Sequence, residues 1–367
     1  MLLDMKTYVP RPLPIQSLDW VELIPLIAQA NRALARYDGL LQSLVNPDIL
    51  LSPLRTQEAV LSSRIEGTQA SLRDVLEFEA AARPDDIPAD ADIREILNYR
   101  LAMQYAVESL ETRPISLRLI RDIHAMLLDS VRGANKARGE FRTSQNFIGP
   151  AGARIDQATC IPPPPGQLPD LLNNLEQYIH GDEPDLVAQL ALIHAQFELI
   201  HPFLDGNGRV GRILIPLFLY ERQILSWPAF FMSAYLESHR DEYYVRLRSL
   251  SENEDYQSWV QFFLDAVVRQ AEANMNQVRE IMALYERMKV DTAELTRSHT
   301  AIQALDALFA RPIFSTAQFS QQVGASRRTC SRLLRSLSDG GVIQLRRSAS
   351  GQLPAVYEFN ELLDIVR

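Results

Sequence analysis

Cysteine is scarce in this sequence: Cys160 and Cys330 are the only two among 367 residues. Disulfide-stabilised secreted domains use larger, even sets of cysteines, so this pattern argues against that class. The cysteines and histidines also form no cluster with the spacing of zinc ligands, which argues against a zinc-binding motif. We therefore expect a reduced, cytoplasmic protein.

Long apolar runs are missing as well, since no stretch has the length needed to cross a bilayer. The first residues, MLLDMKTYVPRPLP, do not show the basic segment followed by an apolar stretch that is typical of a signal peptide. We expect no membrane association. A content of 47% hydrophobic and 23% charged residues is typical of a globular chain, and its length allows two or three domains.

The most informative stretch is 201–212, which reads HPFLDGNGRVGR. His201 has the chemistry of a general base at neutral pH, and Asp205 can hold a divalent metal between phosphate oxygens. The Gly-Asn-Gly turn precedes a predicted helix, whose exposed N–H groups would form an anion site. Arg209 and Arg212 lie three apart and share one face of that helix, where they would extend the site along a polyphosphate.

Each of these features has an ordinary structural explanation when it is taken alone. His201 is compatible with a core histidine at a helix end, and a Gly-Asn-Gly sequence is most often only a turn. Their combination within twelve residues favours a nucleotide-handling phosphoryl or nucleotidyl transferase.

The stretch resembles the signature of the Fic family, H-P-F-x-(D/E)-G-N-G-R-x-x-R, at every fixed position. The resemblance implies a protein adenylyltransferase, which moves AMP from ATP to a Ser, Thr or Tyr hydroxyl of a target protein or of itself and releases pyrophosphate. It implies that His201 is the catalytic base, that Phe203 packs beneath the loop, and that Asp205 binds Mg²⁺. The ATP-binding residues that follow from the resemblance are Glu66, Gly206, Asn207, Gly208, Arg209, Val210, Gly211, Arg212 and His239.

A second motif, Ser62-Ser63-Arg64-Ile65-Glu66-Gly67, lies in a run with helical periodicity from residue 56 to 82. Ser62 and Glu66 are one helical turn apart and project from the same face, as on any solvated helix. Beside a Fic motif, however, the segment resembles the inhibitory helix of autoinhibited Fic proteins, with Ser62, Glu66 and Gly67 as inhibitory residues. Glu66 would then pair with Arg212 and displace the γ-phosphate, and Ser62 would bond near Asn207.

A third segment, from about residue 145 to 162, contains two short extended runs around a Gly-Pro-Ala-Gly turn. This pattern predicts a β-hairpin in a mostly helical chain. In Fic proteins a hairpin flap at this position aligns the target segment as an added strand.

The remaining periodicity predicts a mainly α protein with helices over 20–44, 91–110, 117–131, 168–179, 186–200, 209–221, 240–250 and 256–288. We expect three parts: residues 1–90 with the inhibitory helix, a Fic core over 91–290, and a winged helix-turn-helix over 297–367. The last assignment follows from the order helix, helix, turn, helix and hairpin after residue 300.

The C-terminal part is basic within an acidic chain of net charge −9. Six arginines, Arg327, Arg328, Arg332, Arg335, Arg346 and Arg347, accompany only one acid, Asp339. This pattern is compatible with contact to DNA phosphates. Winged helices also serve in protein docking or homodimerisation, and both alternatives stay open. The alternative functions are removal of AMP from a modified target and a DNA-binding regulator that senses ATP.

Overall fold

The computed structural model describes residues 7–80, 91–129, 137–149 and 158–366. They form two compact units, each assembled from two separate stretches of chain. The first unit comprises Met1–Asp38 and Asn98–Glu272, and the second comprises Gly39–Leu97 and Ala273–Arg367.

Helices dominate both units, which confirms the predicted mainly α class. In chain order the first twelve are α1 (Trp20–Gln42), α2 (Pro47–Leu50), α3 (Ser52–Ile65), α4 (Leu72–Ala80), α5 (Ala91–Leu110), α6 (Leu117–Leu127), α7 (Leu168–His180), α8 (Leu186–Ile200), α9 (Asn207–Glu221), α10 (Ser233–Ser238), α11 (Arg240–Asn253) and α12 (Tyr256–Thr296). None of the described helices is long and apolar enough to cross a membrane.

Helix α8 forms the centre of the first unit. Its N-cap, Asp185, accepts hydrogen bonds from the backbone N–H groups of Val187 and Ala188. Every residue of α8 after the first is buried, so the helix lacks a polar face and must be surrounded by other elements. One of these is α12, where the Trp259 indole N–H donates to the Ala191 carbonyl at 2.8 Å.

The predicted helix over residues 56–82 is wrong in one respect, because the structure divides it into α3 and α4. Helix α3 ends at Ile65, and Gly67 follows with a φ of +102°, a value that a helix excludes and glycine tolerates best. The Thr68 hydroxyl then donates to the Glu95 carboxylate at 3.1 Å. The chain turns here, and the apolar periodicity alone did not reveal the break.

The C-terminal part of the second unit combines four helices with a small sheet. Its elements are α13 (Ala301–Ala310), β1 (Ile313–Ser315), α14 (Thr316–Val323), α15 (Arg327–Asp339), β2 (Gln344–Arg347), β3 (Val356–Glu358) and α16 (Asn360–Ile365). The sheet is antiparallel with the order β1-β3-β2, so Phe314 and Leu345 both lie opposite Tyr357. The predicted strand pair is present, and β1 is an additional strand that the sequence did not indicate.

Helix α4 packs against this sheet inside the second unit. Leu76 and Ala80 form one buried cluster with Ile313, Val356 and Leu363. An ion pair between Arg73 and Glu358, 2.5 Å long, joins the same elements. Residues near positions 75 and 360 therefore share a core, although almost the whole chain separates them.

Candidate active site

The 201–212 stretch forms a loop and a helix start in the first unit. Helix α8 ends at Ile200, and His201 adopts a left-handed conformation with φ of +46° and ψ of +60°. Helix α9 begins at Asn207 after Gly206, whose φ is +78°. Two left-handed residues thus mark the ends of the loop, which reverses the chain from α8 into α9.

Asn207 closes this loop through its side chain. Its amide oxygen accepts from the Phe203 backbone N–H, and its amide nitrogen donates to the Phe203 carbonyl, each at 2.9 Å. Since the side chain is almost completely buried, both of its polar atoms serve the loop. If Asn207 contributes to a phosphate cradle as predicted, the contributing group is its backbone N–H.

Phe203 packs beneath the loop, as the resemblance implied, and is fully buried. Its ring stacks on the His124 imidazole of α6, with centroids 3.7 Å apart and planes 10° apart. Phe141 lies against the same ring at 5.2 Å. The aromatic contacts hold the loop from below.

His124 is a functional neighbour that the sequence analysis did not identify. The backbone N–H of Gly139 donates to its Nδ1 at 2.9 Å, and its Nε2 lies 3.0 Å from the Asp205 carbonyl oxygen. A carbonyl only accepts, so the imidazole is neutral with its proton on Nε2. Burial, followed by the positive charge of Arg209, lowers the pKa of His124 to about 4 and favours this neutral form.

Arg142 is the second group that the sequence analysis missed. Its guanidinium donates to the carbonyl oxygens of His201 at 2.9 Å, Pro163 at 2.6 Å and Ile200 at 3.3 Å. The residue is 2% exposed, and burial lowers the pKa of its guanidinium to about 10. A buried cation bound to several carbonyls fixes the backbone path at the end of α8.

His201 itself is half-buried at this end of α8. Its Nδ1 lies 3.2 Å from the Glu198 carbonyl oxygen. Because that oxygen only accepts, Nδ1 carries a proton, so in the neutral ring Nε2 is the nitrogen with the lone pair. This is the tautomer that a general base acting through Nε2 requires.

The charged groups predicted to bind phosphate lie on the first turns of α9. Arg209 and Arg212 are both buried, being 4% and 2% exposed. Asp205 keeps a side chain exposure of 41%, and its carboxylate lies 3.5 Å from the Arg209 guanidinium. No group of three or more potential metal ligands occurs in the part of the chain that the structure describes.

The N-terminus of α9 has the geometry of an anion site. Its N-cap is a glycine and makes no side-chain capping bond. Its first internal hydrogen bond runs from the Val210 N–H to the Gly206 carbonyl at 3.1 Å, so the N–H groups of Asn207 and Gly208 precede the helical ladder. A negatively charged group suits this position because the helix dipole is positive here.

Gly211 lies on the side of α9 that contacts α8. A Cβ atom at this position would stand 2.6 Å from a Glu198 carboxylate oxygen and 3.3 Å from the Phe197 ring. Close packing of the two helices is therefore a structural reason for glycine here, beside the predicted contact with ATP. Val210 is fully buried in the core.

His194, seven residues before His201, is a buried structural group. Its Nδ1 donates to the Gly211 carbonyl at 3.3 Å, so its Nε2 accepts from the Tyr243 hydroxyl at 2.9 Å. Burial, followed by the charge of Arg212, lowers the pKa of His194 to about 3. Its partner Tyr243 is likewise a buried core residue.

His239, the predicted adenine contact, lies between α10 and α11 and is exposed. Its ring stacks on Tyr235, with centroids 4.1 Å apart and planes 13° apart. Its Nδ1 lies 3.0 Å from the Tyr235 carbonyl oxygen. The pair forms a flat aromatic surface on the first unit.

One antiparallel bridge joins the two described arms of the predicted hairpin. Ile148 pairs with Cys160 as an antiparallel bridge, with a hydrogen bond of 2.8 Å from the Ile148 N–H. The Gln145 amide nitrogen donates to the Pro162 carbonyl at 2.9 Å. Residues 150–157, which include most of the predicted turn, lie outside the described residues.

The residues predicted to inhibit the site belong to the second unit. Ser62 is fully buried within α3, whereas Glu66 is exposed as the residue that caps its C-terminus. The Glu66 N–H donates to the Ser63 carbonyl at 3.0 Å. Gly67 follows in its positive-φ conformation.

Comparison with known proteins agrees with this geometry. Residues 24–108 match the profile of the Fic/DOC family N-terminal region, and residues 114–219 match that of the Fic/DOC family itself. The two regions together cover more than half of the chain. This protein belongs to the Fic/DOC family.

Other Fic proteins have related sequences and folds. The protein adenylyltransferase Fic of Aedes aegypti is 32% identical over 216 residues, which are 56% of this chain and 38% of the relative. That of Drosophila mojavensis is 32% identical over 211 residues, 55% of this chain and 37% of the relative. The chain thus spans less than two fifths of the length of these curated relatives.

Two solved structures share the Fic fold. A Fic family protein from Desulfovibrio desulfuricans has a TM-score of 0.56 at 19% identity and covers 95% of this chain and 98% of its own. The Fic-1 protein of C. elegans has a TM-score of 0.54 at 19% identity and covers 72% of this chain and 74% of its own. At these identities the likeness concerns the fold.

Proposed function

We propose that this Fic protein is a protein adenylyltransferase that transfers AMP from ATP to a hydroxyl group of a protein, including its own chain. The observation that carries this proposal is the arrangement of the 201–207 loop. A histidine whose Nδ1 donates to a backbone carbonyl lies at one end of the loop, and a helix N-terminus without a side-chain cap lies at the other. A base for a hydroxyl and a site for phosphate are the two groups that this reaction needs.

In the proposed reaction the substrate hydroxyl oxygen attacks the α-phosphorus of ATP. The bond from that phosphorus to the bridging oxygen of pyrophosphate breaks, and the hydroxyl proton passes to Nε2 of His201. Arg142, which holds the His201 carbonyl at 2.9 Å, keeps the base in position. Sequence similarity to the adenylyltransferases of insects supports the same reaction.

The phosphates would lie against the start of α9, with Arg209 and Arg212 neutralising their charge. Asp205 is suited to be a ligand of Mg²⁺ because its carboxylate is partly exposed. Mg²⁺ is commonly held by one or two carboxylates, with phosphate oxygens and water completing its shell. The stacked pair of Tyr235 and His239 offers an apolar surface for the adenine ring.

We further propose that Glu66 inhibits the enzyme by pairing with Arg212, the residue that would otherwise bind the γ-phosphate. The exposed position of Glu66 at the C-terminal end of α3 supports this role, since a carboxylate at a helix end can reach beyond its own helix. Ser62, one turn earlier on the same face, would help to seat the helix.

Labelling with ATP that carries radioactive phosphorus at the α-position tests the proposal. We expect the label to appear on the protein, and the His201→Ala variant to lose it by on the order of 10²–10⁴-fold in rate while still binding ATP. The matched control is His299→Ala, because His299 is an exposed histidine of the second unit. Label from the γ-phosphate, or near-normal transfer by His201→Ala, would reject the mechanism. Loss of label from modified protein faster than its gain would favour AMP removal.

A second candidate function is DNA binding by helix α15. Four of its residues, Arg327, Arg328, Arg332 and Arg335, are exposed on a helix whose opposite face is buried. Arg346, which we grouped with them, instead forms ion pairs with Glu77 and Glu358. The exposed basic surface therefore comprises the four arginines of α15 together with Arg347 on β2.

A gel-shift with genomic fragments tests this candidate. If α15 contacts phosphates, affinity should fall steeply with salt, and changing Arg327, Arg328 and Arg332 together to Ala should weaken binding. Arg346→Ala serves as the matched control, since its guanidinium is already engaged by carboxylates. No shift at low salt would leave protein docking or dimerisation as the role of this part.

A further inference from the structure

A cavity of about 350 Å³ opens in the second unit between α3, α4 and the C-terminal end of α16. Its walls are mainly apolar, from Val60, Leu61, Leu72, Leu363 and Val366. The volume falls at the lower end of the range for small-molecule sites, which is about 300–1,000 Å³. A ligand of modest size with an apolar body would fit it.

Two arginines join this apolar lining, and they differ in their partners. Arg73 is already neutralised by Glu358 at 2.5 Å. The guanidinium of Arg64 has no acidic or hydrogen-bonding partner among the described residues, and no acid lines the cavity. One uncompensated positive charge beside an apolar space is complementary to an anion with an apolar tail.

The cavity also lies against the helix that carries the proposed inhibitory residues. Gln57, Val60, Leu61 and Arg64 line it, and their spacing of three and four places them on one face of α3. Ser62 and Glu66 fall on the opposite face of the same helix. A molecule in the cavity would therefore contact the back of the inhibitory segment.

The cavity depends on the packing of three elements that are distant in sequence. Gln277 of α12 supports this packing, because its amide donates to Gln57 of α3 at 3.1 Å and to the Ile365 carbonyl of α16 at 3.0 Å. A ligand that touches all three elements binds only when they are packed together. By mass action its binding stabilises that packed arrangement.

We propose that this cavity is an effector site for a small amphipathic carboxylate, whose anionic group pairs with Arg64 and whose alkyl chain lies among the apolar residues. A monoanion is the best match, since a single guanidinium would leave the second charge of a phosphate monoester uncompensated near apolar walls. The bound ligand holds α3 in its packed position and strengthens inhibition by Glu66. This regulatory step rests on the adenylyltransferase function proposed above, whereas the binding site does not.

Calorimetric titration of the full chain with octanoate tests the site. We expect saturable binding of one molecule, and at least about ten-fold weaker binding of 1-octanol and octylammonium, which have the same tail without the anion. Arg64→Gln should weaken the binding of octanoate by a similar factor. Arg55→Gln is the matched control, because Arg55 lies on the same helix but pairs with Asp48 at 2.9 Å outside the cavity.

A second variant protects the test against loss of folding. Leu72→Trp, at a partly buried wall position, should fill the cavity and abolish octanoate binding while the circular dichroism spectrum of the protein is kept. Equal binding of all three ligands, or octanoate binding that neither variant changes, would overturn the proposed site.

The regulatory step has its own readout in auto-adenylylation. Octanoate should slow the wild-type reaction several-fold and leave the rate of Glu66→Gly unchanged, because that variant has no inhibitory carboxylate to reinforce. Octanoate that binds but does not slow the wild type would overturn the regulation and leave the site standing. If no variant transfers AMP, the proposed function fails, and the titration still decides whether the cavity binds carboxylates.

Discussion

His124 and Phe203 lie face to face beneath the 201–207 loop, with ring centroids 3.7 Å apart. The imidazole also donates to the Asp205 carbonyl, so one side chain supports both the apolar and the polar part of the loop. Because the Gly139 N–H occupies the other ring nitrogen, a second proton on His124 would break that contact. The loop is therefore built for a neutral histidine.

The first prediction concerns stability at acid pH. The pKa of His124 is lowered from 6.5 to about 4, so the unfolded chain takes up a proton at a higher pH than the folded chain does. The free energy of unfolding should thus be unaffected above pH 7 and fall by about 3 kcal/mol between pH 6.5 and pH 4 because of this group. His194, with a pKa lowered to about 3, acts in the same direction.

Urea unfolding at several pH values measures this effect. His124→Gln, which keeps a polar side chain but does not titrate, should reduce the slope of stability against pH in the acid range. His299→Ala, at an exposed position, should leave the slope as it is. An identical slope in His124→Gln and the wild type would contradict the neutral, buried state of His124.

The second prediction concerns the buried guanidinium of Arg142. In Arg142→Met the carbonyl oxygens of Ile200, His201 and Pro163 lose the guanidinium as a hydrogen-bond donor. We expect a loss of stability on the order of 3 kcal/mol and a fall in kcat, since each unsatisfied buried group costs about 1–3 kcal/mol. The KM for ATP should change little, because Arg142 positions the base and not the nucleotide.

Thermal unfolding and auto-adenylylation kinetics separate these effects. Arg142→Lys should recover part of the stability but little of the rate, since an ammonium group cannot span several carbonyls in one plane. Arg138→Met is the matched control, because Arg138 is more exposed and pairs with Asp129. A parallel fall in kcat for both arginines would contradict a specific role of Arg142.

The third prediction concerns the contact of α8 and α9 at Gly211. An added methyl group would meet the Glu198 carboxylate at 2.6 Å and the Phe197 ring at 3.3 Å. Gly211→Ala should therefore displace Glu198, destabilise the protein by about 1–3 kcal/mol and slow AMP transfer. The measurement is the unfolding midpoint together with the labelling rate.

Gly39→Ala provides the control for Gly211→Ala. Gly39 lies in α1, and nothing stands within 4 Å of the position of its added Cβ. The alanine should stabilise the protein by roughly 0.4–1 kcal/mol, because it lowers the conformational entropy of the unfolded chain. If both substitutions had the same sign, crowding at Gly211 would not be the cause.

The fourth prediction concerns Glu66. Glu66→Gly should raise auto-adenylylation on the order of ten-fold or more, because a charge-assisted bond from Arg212 to phosphate contributes about 1.5–3 kcal/mol. Ser62→Ala should act in the same direction more weakly. Glu294→Gly, an exposed acid on α12, is the control. Equal rates in Glu66→Gly and the wild type would require withdrawal of the inhibitory role.

Much of the fold follows from local signals in the sequence. Helix α8 was predicted with the bounds that the structure has, and Asp185 provides an N-cap at its start. Strand β1 was missed because it has only three residues and directly follows Pro312. Such a short strand exists through its pairing with β3, which is a distant contact.

In the candidate site, too, local groups could be predicted and groups that act through distant contacts could not. The 201–212 stretch could be identified because its groups are close together in the sequence. His124 and Arg142 could not, since they act on backbone carbonyls 81 and 59 positions away, respectively, and belong to no motif. The pairing of Arg73 with Glu358 spans 285 positions and is equally invisible to local patterns.

The composition of the second unit has a consequence for the order of events during synthesis. Helix α4 shares its core with strands near the end of the chain, so it leaves the ribosome long before its packing partners exist. At about 5–20 residues per second, this interval is on the order of tens of seconds. The stretch Asn98–Glu272 of the first unit, which includes His201, is synthesised within that time, after Met1–Asp38 has already been made. A nascent chain therefore completes its proposed catalytic residues before it completes the unit that holds its proposed inhibitor.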